Sequence, residues 1–257
     1  MASKPEHVVM FSGGAGSWAA AKRVAQKRGT ERMVLLFADT LIEDADLYRF
    51  LDEAAANIGA PLVRIAEGRT PWEVMEDEKI IGNSRFDPCS KILKRKFMDK
   101  WRNTNCDPET TTIYVGIDWT EVNRMTAIKA RTAPWRYEAP MCEAPYLSKA
   151  QVLDELRAAG IEPPRLYAQG FAHNNCGGEC IKAGQAQWAL LLRTNRPRYM
   201  AREEWEEGMR EKVGDHSILR DRTGGVSKPL TLRHFRLRVE ANQEFDQLEF
   251  GGCGCAL

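Results

Sequence analysis

Four short apolar runs, each separated from the next by a stretch with helical character, fill the first half of this 257-residue chain. They are His7 to Phe11 (HVVMF), Arg32 to Ala38 (RMVLLFA), Pro61 to Ile65 (PLVRI) and Thr111 to Ile117 (TTIYVGI). Between them lie an Ala/Lys-rich segment from Trp18 to Lys27, a segment from Asp44 to Ile58, and a helix opened by Thr70 and Pro71. In the second of these, Leu47, Phe50, Leu51, Ala54 and Ile58 recur at the spacing of one helix face. Pro fits the first turn of a helix, where its missing N–H has no partner to lose. Apolar strands alternating with helices of this length predict βαβ units and a parallel sheet covered on both faces.

The second half changes character, and the expected boundary falls at 147/148: an α/β unit over 1–147 and a helical C-terminal region over 148–257. Ser148 with Gln151 forms a capping-box signal for a helix that Gly160 ends. A buried helix is expected from Cys180 to Arg193, and a surface helix from Ala201 to Lys212 whose charge run faces solvent. Asp221 to Lys228 reads as a Gly-rich loop, and Phe250 to Leu257 as a tail without periodicity. With 37 Lys+Arg against 36 Asp+Glu, the net charge is +1. That excludes a global electrostatic grip on nucleic acid or an anionic membrane and leaves only a local basic patch. No apolar run approaches the roughly 18 residues of a membrane span, and the N-terminal MASKPEHVV lacks a secretory h-region, so a cytoplasmic location is expected.

The segment Ser12-Gly13-Gly14-Ala15-Gly16-Ser17 lies between the first strand and the first helix. Small residues let the backbone approach a ligand closely, and N–H groups at a helix N-terminus make an anion cradle. The loop lacks the Gly-Lys-Ser/Thr ending of a Walker A motif. It resembles the S-G-G-x-x-S loop of the PP-loop ATP pyrophosphatases and of the related sulfonucleotide (PAPS/APS) reductases. Gly16 stands where many of the former carry Asp. Phe37-Ala38-Asp39-Thr40 is similar to the family's F-x-D-T strand end. The run Tyr114 to Arg124 resembles a G-x-R-x-x-E segment, with Gly116, Glu121 and Arg124 in place and Asp118 replacing the first Arg. Arg85, Phe86, Cys89 and Lys94 match an R-Y-x-x-C-C-x-x-R-K segment in which Ser90 replaces the second Cys. These likenesses span about 7–125. They imply a Rossmann-like, adenine nucleotide alpha hydrolase-like fold. Ser12, Gly13, Gly14, Ala15, Gly16, Ser17, Asp39, Thr40 and Gly116 would then bind the nucleotide, and Lys94 and Arg124 would act on it.

The seven cysteines are an odd number, which argues against a disulfide framework. Cys176 and Cys180 are spaced by Gly177, Gly178 and Glu179. By the family resemblance Cys89 is their natural companion; a tail cysteine, Cys253 or Cys255, supplies a fourth thiolate, with Cys253 assigned to the metal and Cys255 to catalysis. Four such ligands fit a [4Fe–4S] cluster better than structural zinc, since no C-x2-C knuckle is present. Small buried thiols without metal are the plain alternative. The sequence thus leads to an ATP- and Mg²⁺-dependent pyrophosphatase that adenylates a nucleobase or nucleotide, free or within DNA or RNA, for sulfur transfer from a sulfur donor. One alternative is a sulfonucleotide reductase whose tail nucleophile is Cys255, served by a reductant. Another is a nucleotide-binding protein without chemistry. Trp119, beside the expected site, is placed to stack a base; His173 reads as a hydrogen-bonded histidine. No membrane partner is expected, and oligomeric state leaves no signal.

Overall fold

The computed structural model describes residues 4–83, 86–222 and 225–251. The chain begins with β1 (His7–Met10), α1 (Ala15–Arg28), β2 (Met33–Asp39), α2 (Ala45–Ile58), β3 (Leu62–Ala66) and α3 (Pro71–Asp77). A π-helical segment (Ser90–Lys96) runs into α4 (Phe97–Asn105), followed by β4 (Thr112–Tyr114), α5 (Asn123–Thr132) and β5 (Arg136–Glu138). The strands form one five-stranded sheet in the order β3-β2-β1-β4-β5, parallel at every junction. Each expected strand is present within a few residues. β5 was not expected: three residues, Arg-Tyr-Glu, carry no apolar run, and Tyr137 alone packs inward opposite Ile113. The fold is Rossmann-like α/β.

Local chemistry accounts for these elements. Asp44 caps α2 by accepting from the Asp46 N–H, and Leu47, Phe50, Leu51, Ala54 and Ile58 face inward as their spacing requires. Thr70 and Glu73 form a reciprocal capping box ahead of α3, an arrangement contributing about 1 kcal/mol. α1 and α2 cover one face of the sheet, and α4 and α5 the other.

The second half supplies α6 (Lys149–Ala158), α7 (Arg165–Ala168), α8 (Gln185–Thr194), α9 (Arg196–Val213), β6 (Leu219–Asp221), β7 (Lys228–Leu230) and α10 (Leu232–Glu240). α6 starts at Ser148 with its capping box formed, and Val152, Leu156 and Ile161 complete the core of α1 and α2. The helix expected from Cys180 begins only at Gln185. A Cβ on Gly184 would lie 2.1 Å from the Glu249 carbonyl oxygen, because the C-terminal strap 249–251 crosses there and holds the residue extended. Gly184 N–H donates to the Phe250 carbonyl, and Gly251 pairs with Ala183. The charge run of α9 is solvated on one side only, at Glu204, Glu211 and Lys212. Glu203 is buried against Arg236 (2.8 Å), and Glu206 is fully buried, accepting from the backbone of Ile218 (2.8 Å) and Leu232 (2.6 Å). No described helix is long and apolar enough to cross a membrane.

Candidate active site: a crevice at the carboxyl edge of the sheet

β1 has β2 on one side and β4 on the other, so the chain reverses its winding direction there. In open parallel sheets ligands bind beyond the carboxyl ends of strands at such a point. A crevice of about 220 Å³ opens at this place. Its floor is the loop after β1 and the first turn of α1: Ser12, Gly14, Ala15, Gly16 and Ser17. The ends of β2 (Phe37, Ala38) and the residues after β4 (Val115, Gly116) form the walls.

The loop is held tightly. Gly14 is the extended N-cap of α1, and the Ser17 hydroxyl donates back to its carbonyl at 2.8 Å. Gly116 lies against the loop backbone; a Cβ there would meet Ser17 Cα at 3.0 Å and Ser17 N at 3.1 Å. Only glycine lets the end of β4 approach so closely. Gly13 is buried under Leu47 and forms no part of the crevice wall.

The positive charge expected of an anion site is present. Lys94, 7% exposed, and Arg124, paired with Glu121 at 2.6 Å, both line the crevice. A third cation, Lys149, comes from the first turn of α6. Its ammonium lies 4.4 Å from the Tyr167 ring centroid and donates to the Ala172 carbonyl, and burial pulls its pKa below the ordinary lysine range. The Tyr167 hydroxyl accepts from the Ala15 N–H at 3.2 Å, and the Asn174 amide donates to the Gly13 carbonyl at 3.0 Å. The second half therefore closes over the loop after β1. Lys149, Tyr167 and Asn174 were not among the residues expected from sequence. One signal for Lys149 was available: a cation in the first turn of a helix opposes the macrodipole, a local conflict that often marks function.

Asp39 and Thr40 lie off the crevice wall. The Asp39 carboxylate accepts from the Leu41 N–H at 2.8 Å and from the Tyr48 hydroxyl at 3.0 Å. Thr40 donates to Glu43 at 2.8 Å. Glu43 also accepts the Cys176 N–H, and burial raises its pKa while Lys94 works in the opposite sense.

Cys89, Cys176 and Cys180 are all buried and line one small second cavity of about 10 Å³, together with Trp72 and Lys94. Lys94 thus stands between the two cavities. Glu179, inside the Cys176–Cys180 turn, is held by Arg202 at 3.0 Å and by the Trp72 indole at 3.3 Å; burial raises its pKa. The described cysteines form no disulfide, and no three His, Cys, Asp or Glu among the described residues converge closely enough to hold a metal ion. Cys253 and Cys255 lie outside the described residues, as does Arg85; the strap before the two cysteines reaches Gly251 beside Ala183, three residues beyond Cys180.

No protein-family model matches the chain, and no curated protein matches it. Among solved structures, a phosphoadenylyl-sulfate (PAPS) reductase from Candida auris in complex with phosphate is similar. It is 12% identical, with 65% of this chain and 79% of that chain covered and a TM-score of 0.43.

Proposed function

We propose that the chain is an enzyme that binds ATP in the sheet-edge crevice and transfers the adenylyl group to a nucleobase or nucleotide, preparing it for sulfur transfer. The observation that carries the reading is the crevice floor. A helix N-terminus preceded by a loop of small residues opens beneath Lys94, Arg124 and Lys149. Backbone N–H groups and three cations together match a polyphosphate in charge and in donor geometry.

The chemistry follows from that placement. Mg²⁺ enters with the triphosphate, and the carboxylates on the crevice wall are Asp118 and Glu121. A substrate oxygen attacks the α-phosphorus, its bond to phosphorus forms, and the bond to pyrophosphate breaks. Lys94 and Arg124 offset the charge that develops on the departing oxygens. The adenylated carbon then accepts a sulfur nucleophile and AMP leaves.

Cys89, Cys176 and Cys180 share one small cavity and with Cys253 would be the ligands of a [4Fe–4S] cluster, but as placed the three described thiols do not converge closely enough to hold a metal. Seating a [4Fe–4S] cluster requires their cavity to widen. Such a cluster, when bound, supplies an iron that can carry sulfide. Iron and acid-labile sulfide in anaerobically purified protein, with a broad absorption near 400 nm, test it.

A second reading is favoured by the thiols that share Lys94 with the crevice. It is a sulfonucleotide reductase in which Cys255 attacks the sulfur of APS or PAPS, the sulfur–oxygen bond breaks and the adenosine phosphate leaves, and an external thiol reductant cleaves the resulting thiosulfonate to release sulfite and restore the Cys255 thiol. Pyrophosphate release from ATP upon substrate addition supports the first reading; sulfite release from APS or PAPS, abolished in Cys255→Ser, supports the second. Tight ATP binding without turnover leaves a nucleotide-binding protein without chemistry. Absence of any adenine-nucleotide binding by calorimetry defeats all three.

A further inference from the structure

Most basic residues of the C-terminal helices are spent on carboxylates. Arg196 and Arg236 hold Glu240, Arg202 holds Glu179, Arg233 and Arg236 hold Glu203, and Arg238 holds Asp221. The two helical segments that send Lys94 and Arg124 into the crevice differ. Lys91 and Lys96 of the π-helical segment and Lys129 and Arg131 of α5 are exposed and form no ion pair among the described residues. From Val122 to Tyr137 the chain has no acidic residue. α4 and α5 pack side by side on one face of the sheet: Met98, Met125 and Ile128 share a core, and Arg102 of α4 stacks on Trp135 at 4.6 Å, just past α5.

The mouth of the crevice carries an aromatic pair. Trp119 is 45% exposed and Tyr146 60% exposed, with ring centroids 5.9 Å apart. The Trp119 indole donates to the Leu147 carbonyl at 3.3 Å, which ties the two segments together. Asp118 and Leu147, the chain neighbours of the two rings, line the crevice, so the pair sits at its mouth. Two wet aromatic rings at a crevice mouth are costly unless something stacks on them. Beside them, α5 exposes the small side chains Thr126, Ala127 and Ala130 between its cations, leaving room for a close backbone.

We propose that the surface around the crevice binds a single-stranded polynucleotide, with phosphates on Lys91, Lys96, Lys129 and Arg131 and bases stacked on Trp119 and Tyr146, so that the substrate base enters the crevice as part of a strand. Uncommitted cations beside exposed aromatic rings are the combination that single-stranded nucleic acid requires, since every base offers a π-face and every linkage a charge. A net charge of +1 is compatible with this, because the positive charge is concentrated rather than global. The proposal rests on the nucleotide-modifying reading and names its substrate class.

Fluorescence anisotropy tests it with labelled 16-mer single-stranded DNA, single-stranded RNA and duplex DNA, at several salt concentrations. Wild-type protein should bind at least one single strand about tenfold or more tightly than the duplex, and the DNA and RNA arms identify the natural polymer. Lys129→Glu/Arg131→Glu should make the dependence of log affinity on log salt shallower by roughly one or more, since each phosphate contact in a single strand contributes a slope of about 0.7. Tyr146→Ala should weaken strand binding by about tenfold with ATP binding unchanged. Equal affinity for duplex, competition by polyglutamate as effective as by oligonucleotide, or unchanged binding in both variants would overturn the proposal. Strand binding is scored separately from ATP binding. ATP bound without strand binding defeats this inference alone, and strand binding without ATP defeats the nucleotide reading alone.

Discussion

At the scale of single residues the site depends on close approach. Gly116 has the loop backbone where a side chain would go. Gly116→Ala should displace the loop at a cost of about 1–3 kcal/mol; a fall in melting temperature and an ATP affinity reduced about tenfold, by calorimetry, are the expected outcome. Lys149→Ala should weaken triphosphate binding by about tenfold, or about 1.4 kcal/mol, and weaken AMP binding less, because its charge is aimed at the polyanion. Equal losses for ATP and AMP would place Lys149 elsewhere on the ligand. Much of this site could be read from the sequence. Ser12, Gly14 to Ser17, Gly116, Lys94 and Arg124 all reach the crevice, because a loop between strand and helix and the end of a parallel strand have fixed positions relative to the sheet. Tyr167 and Asn174 could not be found that way: they reach the loop from more than a hundred residues away, and no local pattern records a tertiary contact. Asp39 shows the converse: a strand-end carboxylate has local donors, here Leu41 and Tyr48, that compete with a ligand.

At the scale of elements, helices are legible where caps and periodicity agree, as in α2, α3 and α6. They are misread where the strap 249–251 interferes or where charge is buried. α9 is the instructive case. A run of Glu, Arg and Lys has the composition of a solvated face, yet Glu206 is the acceptor that joins the start of β6 and the start of α10 to this helix. Burial raises its pKa to about 7, well above the ordinary carboxylate range, against the hydrogen bonds from Ile218 and Leu232, which favour the carboxylate. The native state therefore keeps a proton that the unfolded chain has already lost. Stability from this group is largest below about pH 4.5 and declines as the pH rises towards 7. Glu206→Gln removes that slope but leaves one backbone N–H without its acceptor, at a cost of about 1–3 kcal/mol. Urea denaturation from pH 5 to pH 8 should show the difference between wild type and variant narrowing as pH rises; a constant difference would mean that Glu206 does not titrate in this range.

At the scale of the molecule the two halves are joined through shared packing. Val152, Leu156 and Ile161 of the second half belong to the core of α1 and α2, and Tyr167 and Asn174 rest on the loop after β1. Thermal unfolding should show one calorimetric transition, and ATP at 100 times its dissociation constant should stabilise the whole protein by about 2.7 kcal/mol. Two transitions, only one of them moved by ATP, would mean that the halves unfold separately. Lys94 carries this union furthest, since one ammonium borders both the crevice and the thiol chamber. A polyanion in the first and a thiolate in the second draw on the same proton-rich group, and whatever advantage one gains by attracting it the other forfeits by an equal factor. Nucleotide should therefore slow alkylation of Cys89, Cys176 and Cys180, and capping those thiols with a small neutral group, which removes the competing anion, should leave nucleotide binding no weaker: two chambers on one lever, neither adjustable alone.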